Sequence, residues 1–127
     1  MSSESQHERS TSANAQISRA HVRLFHEYTG RGPTGARTTI DRDLVVCFLS
    51  DLLTKGERSL IAAGKAEAVL AMRRSFQEAM REDLVAEVER ITGRKVLAFM
   101  SANHLEPDHA IESYVLDAPA APPLEVV

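Results

Sequence analysis

The sequence has no tryptophan, and its aromatic side chains are only four Phe and two Tyr. Leu, Val, Ile, Met and Ala must therefore fill any core, and that core is thin. There is one cysteine, Cys47. That excludes an intrachain disulfide framework and fits a reducing compartment. No long hydrophobic run exists: the longest strongly apolar stretch is 44–49. A helix needs about 20 such residues to span a bilayer, so none is expected to. The first sixteen residues lack the apolar centre of a signal peptide, so the chain is expected in the cytoplasm. Basic residues are in deficit, with a net charge of −3, which makes nucleic acid an unexpected partner. Catalytic signatures are missing too. No Gly-Lys-Ser or Gly-Lys-Thr opens a helix, and no Gly-x-Ser-x-Gly turn is present.

What is there is one long period. Val69, Met72, Phe76, Met80, Leu84, Val88 and Ile91 recur at steps of three or four. That spacing is one face of an α-helix over 65–91 or so, roughly 40 Å long. Gly93 follows Thr92 as a left-handed cap. Upstream, Thr54-Lys55-Gly56-Glu57 reads as a capping box for a short helix over 55–63, with Gly64 as a break.

The remaining elements follow in order. Residues 1–14 are polar and aperiodic and read as a disordered tail. From near Ala15, a stripe of Ile17, Ala20, Leu24 and Tyr28 marks a first helix, ended by Gly30. Strands are expected over 36–41 and 44–50, joined at Asp41-Arg42-Asp43. The second is almost wholly apolar and belongs inside a sheet. Further strands are expected over 94–102 and 110–117. In the third, Val96, Ala98 and Met100 face one way, and Leu97 and Phe99 the other. In the fourth, Ile111 and Val115 oppose Tyr114 and Leu116. The Pro- and Ala-rich residues 118–127 read as a second tail.

These elements predict a single α+β domain over 15–117: helix, hairpin, short and long helices, hairpin. The four strands form one mainly antiparallel sheet, with the long helix across a face. The other face also carries apolar residues. It needs cover from the first helix or from a second subunit, so a homodimer is expected.

Candidate sites are few. In Gly30-Arg31-Gly32-Pro33, backbone N–H groups could converge on an anion, with Arg31 and Arg37 adding charge. The plainer reading is a helix cap followed by a turn. Arg73 and Arg74 flank the long stripe. They read as a solvated edge paired with Glu67 or Glu78, with an anion site as the sharper alternative. His104, Glu106, Asp108 and His109 have metal-ligand chemistry but share one loop, so no metal is assigned. His21 and His26 read as surface or flank residues. Cys47 reads as inert packing in an apolar strand. No catalytic residue and no cofactor is assigned.

Several short motifs recur in a recognisable order. They are Gly30-Arg31-Gly32-Pro33, Leu53-Thr54-x-x-Glu57-x-x-Leu60, Arg73, Thr92-Gly93 before a Val96-bearing strand, and Tyr114-Val115-Leu116-Asp117. Together they resemble the bacterial MpsC-like family over roughly 17–117. That family is described as a component of a Na⁺-translocating, membrane-potential-generating system. Its pattern often has Lys where Arg31 stands and Pro where Gly56 stands. The resemblance implies an accessory or regulatory protein, not an enzyme, acting with membrane-embedded ion-transport subunits and peripheral to their complex. The rival reading is a small regulatory module that binds an anionic ligand or nucleic acid through Arg19, Arg23, Arg31 and Arg37.

Overall fold

A computed structural model describes residues 3–121 of the chain, with side chains from residue 13 onward. In order it contains α1 (Ser3–Thr29), β1 (Gly35–Asp41), β2 (Leu44–Ser50), α2 (Lys55–Ala62), α3 (Ala66–Thr92), β3 (Val96–His104) and β4 (His109–Leu116). This is the expected α+β arrangement, and all strand pairs are antiparallel. Helix α1 starts at Ser3, upstream of the start expected near Ala15. The side chains of 3–12, residues 1–2 and residues 122–127 lie outside the described set, and most of both expected tails falls there. Residues 118–121 are tied down. Ala120 N–H donates to the Arg42 carbonyl, Ala121 N–H to that of Thr92, and Ala120 packs against the core.

Local chemistry explains the element ends. The Thr54 hydroxyl accepts from the Glu57 N–H at 3.1 Å, and the Glu57 carboxylate accepts from the Thr54 N–H at 2.8 Å. That reciprocal box starts α2. Gly93 closes α3 at φ 70°, where a side chain would be strained.

The sheet order is β1-β2-β4-β3. The two hairpins join through β2 and β4, so β2 lies inside the sheet as its composition predicts. Helices α1 and α3 lie side by side on one face. Ile17, Leu24 and Phe25 of α1 and Met80, Leu84 and Val88 of α3 enclose Val45, Cys47, Leu49, Tyr114 and Leu116. The first helix therefore does not cover the second face of the sheet, which stays open.

Helix α3 buries a slightly different line from the apolar one. Its buried residues are Val69, Arg73, Gln77, Met80, Leu84, Val88 and Thr92, while Met72, Phe76 and Ile91 sit on a half-buried flank. In β3 a bulge between Val96 and Ala98 shifts the register, so Val96 and Phe99 pack against the core and Leu97 is 70% exposed. The extra residue breaks the simple alternation expected there.

Candidate functional site

The loop between β2 and α2 gathers charge. Asp51 holds a left-handed backbone (φ 59°), unusual for a residue with a side chain. Its carboxylate accepts from the Thr34 hydroxyl at 2.9 Å, Arg31 at 2.7 Å and Arg58 at 3.0 Å. The Thr34 hydroxyl, followed by Arg31, holds that carboxyl below its ordinary range. Arg58 also reaches Asp108, which accepts from the Leu53 N–H as well. A chain Arg31–Asp51–Arg58–Asp108 thus runs over one end of the sheet.

Beneath it lies Arg73. The sequence places it on a solvated edge paired with Glu67 or Glu78; in the structure it is instead 3% exposed and bonded to other partners. Its Nη2 donates to the Leu52 carbonyl at 2.7 Å and to Glu57 Oε1 at 2.5 Å. Glu57 Oε1 is the same atom that caps Thr54, so one oxygen ties the start of α2 to α3. Arg73 also lines a cleft with Leu52, Leu53, Asn103, Asp108 and Ala110. Its interior of about 10 Å³ is about one water in size, too small for an organic ligand.

A polar ladder continues along α3 into the core. Gln77 exchanges two hydrogen bonds with Asn103, both 2.9 Å, and donates to Glu112 Oε1 at 2.8 Å. The Ser101 hydroxyl donates to Glu112 Oε2. Both oxygens of this buried carboxyl thus accept from neutral groups, and burial pushes it up to about 7. Further along the same strand, where α1 packs over Tyr114, His21 is 1% exposed rather than on the surface. Its Nδ1–H donates to the Ile17 carbonyl, which leaves Nε2 to accept the Tyr114 hydroxyl at 2.7 Å. Burial pushes His21 down to about 4 and the Cys47 thiol up to about 11, so the thiol is unreactive.

Glu112 and His21 act on stability with opposite signs. Glu112 keeps its proton in the folded state between about 4.5 and 7, where the unfolded chain has lost it. Its contribution therefore falls as pH rises through that window. His21 refuses a proton between about 6.5 and 4 that the unfolded chain accepts, so its contribution falls as pH drops. The two slopes oppose each other across the overlap. In Glu112→Gln only the histidine slope remains. Urea midpoints of the variant are expected to climb steadily from pH 4.5 to 6.5, while those of the parent stay nearly flat. Parallel profiles would show that Glu112 titrates normally.

The sequence candidates end in separate places. Gly30 is the left-handed cap of α1 at φ 83°. At Gly32 a Cβ would meet the Val22 carbonyl oxygen at 2.9 Å, so the turn lies flat on α1. Pro33 is buried behind it. Arg31 is engaged by Asp51, and Arg37 lies on the open face of the sheet over the Phe48 ring at 5.0 Å. Arg23 pairs with Glu87 at 2.8 Å. The arginines of the anion-binding reading therefore do not converge. At the ends of β3 and β4 that flank their connecting loop, His104 Nδ1–H donates to the Pro107 carbonyl, and the His109 ring tilts against Phe48. Among the described residues no three His, Cys, Asp or Glu side chains gather as a metal site. Sequence reasoning missed Asp51 and Glu112, placed Glu57 only as the cap of α2, and saw Asp108 only as a polar loop residue. The one available signal was the buried position of Glu112 between apolar neighbours in β4.

The sequence over residues 9–118 matches a known family, described as Na⁺-translocating membrane potential-generating system (MpsC). The chain belongs to the MpsC family. A relative in Bacillus subtilis (strain 168), named uncharacterized protein YbcI, is 30% identical over 91 residues, 69% of this chain and 72% of that protein. No solved structure matches. Among the described residues no helix is long and apolar enough to cross a membrane.

Proposed function

We propose that this MpsC-family chain is an accessory or regulatory component of a Na⁺-translocating, membrane-potential-generating system, working with membrane-embedded subunits. The family match over residues 9–118 carries the reading. Two features support it. No described helix can span a bilayer, so ion conduction falls to other chains. The clustered polar groups bond mainly to one another around a cleft of about 10 Å³, suited to holding shape and presenting a charged surface rather than to turning over a substrate. In this reading the chain is cytoplasmic, peripheral to the membrane complex, and catalyses no reaction of its own.

The test is affinity purification of the tagged chain from membranes solubilised in mild detergent. A polytopic ion-transport subunit is expected to co-purify, and to disappear when Arg58 and Asp51 are both replaced by alanine. Recovery of the chain with no membrane protein above background would overturn the proposal.

A further inference from the structure

The open face of the sheet has a regular layout. Paired positions across β1, β2, β4 and β3 form rows. One row is Asp41, Leu44, Val115 and Ala98. The next is Thr39, Val46, Ser113 and Met100. The third is Arg37, Phe48, Ile111 and Ala102. The middle of this face is apolar, and Leu44, Met100 and Ile111 are 40%, 51% and 38% exposed. Its charges stand at the β1 edge, one of each sign, one row to either side of Thr39. Arg37 has no carboxylate partner among the described residues, and Asp41 reaches only its neighbour Arg42 at 3.5 Å, both well exposed.

That layout complements itself. Take a two-fold axis between two facing sheets, perpendicular to the strands and over the Thr39–Met100 row. Arg37 then meets the partner's Asp41, and Asp41 meets the partner's Arg37. Phe48 lies over the partner's Leu44, and Ile111 over the partner's Val115. The strands of the two sheets stay aligned, as in ordinary sheet-on-sheet packing. Four strands about 4.8 Å apart and about seven residues long give a footprint of about 450 Å² per copy. Two copies cover about 900 Å² before side-chain relief is counted, the scale of a small reversible interface. We infer that a second copy of this chain covers the open sheet face, as an isologous dimer keyed by Arg37 and Asp41. The face and its register are independent of the membrane-system reading.

Sedimentation velocity of the full chain from about 1 to 500 μM tests this, a range that brackets weak to moderate dimers. The parent is expected to shift from monomer to dimer. Ile111→Glu and Met100→Lys, both at surface positions, are expected to stay monomeric while keeping the parent's circular dichroism. Arg37→Asp and Asp41→Arg should each weaken association about tenfold by placing like charges opposite one another. The double swap Arg37→Asp with Asp41→Arg should restore it, because each copy again offers both signs. A parent monomeric throughout, charge variants that associate like the parent, or a double swap that fails to restore association would each overturn the inference. So would face variants that stay dimeric.

Discussion

Met80→Asp is expected to abolish the cooperative thermal transition followed by circular dichroism. Met80 lies mid-way along α3, wholly buried in the cluster that contains Leu84, Val88, Tyr114 and Leu116. The neighbours named are apolar but for Tyr114, whose hydroxyl is already given to His21, and burying an unpaired carboxylate costs several kcal/mol. A small domain has about 5–15 kcal/mol in total, and this core contains few large aromatics to spare. Phe76→Asp is expected to behave differently. Phe76 packs on the half-buried flank, where a carboxylate can reach water. That variant should fold with a lowered midpoint. A Met80→Asp melt that overlays the parent's would mean that α3 is not seated on the sheet as described.

Arg73→Met is expected to be the most damaging loss of a charge, about 3–5 kcal/mol in the urea-derived unfolding free energy. The cost comes less from the lost bond than from what stays behind. Glu57 would remain buried as an uncompensated carboxylate, and the Leu52 carbonyl would lose its donor. The cap at Thr54 shares the same carboxylate oxygen, so the start of α2 would loosen too. Adding Glu57→Gln removes the stranded charge and keeps an amide oxygen for the Thr54 N–H. The double variant should recover a large part of the loss. A single-variant cost below about 1 kcal/mol would place the pair among solvent-exposed bridges instead.

Both expectations turn on which residues α3 buries. The apolar spacing located the helix to within a residue of its ends, because a 3.6-residue period is a local property. Positions 69, 80, 84 and 88 of that stripe are buried as the period implies. Toward the N-terminal half the period misleads: it selects Met72 and Phe76, whereas Arg73 and Gln77 are the residues buried. Polar residues do not register in an apolar count. Their partners, Glu57, Glu112 and Asn103, stand 16, 35 and 26 residues away. The same holds for His21, whose partner Tyr114 is 93 residues away.

The family and the inventory of elements were already legible in the chain's own order. Thr54 with Glu57, the glycines at 30 and 93, and the Asp41-to-Asp43 turn act on their immediate neighbours, so their residue types report their geometry. The Gly30–Pro33 turn is of the same kind: Gly30 caps α1 and Gly32 lies against Val22. Three things came only from the tertiary structure: the union of the hairpins through β2 and β4, the placement of both long helices on one face, and the polar ladder beneath them. Each depends on contacts between distant segments. Those are chosen by how whole faces fit together, and no local pattern encodes them.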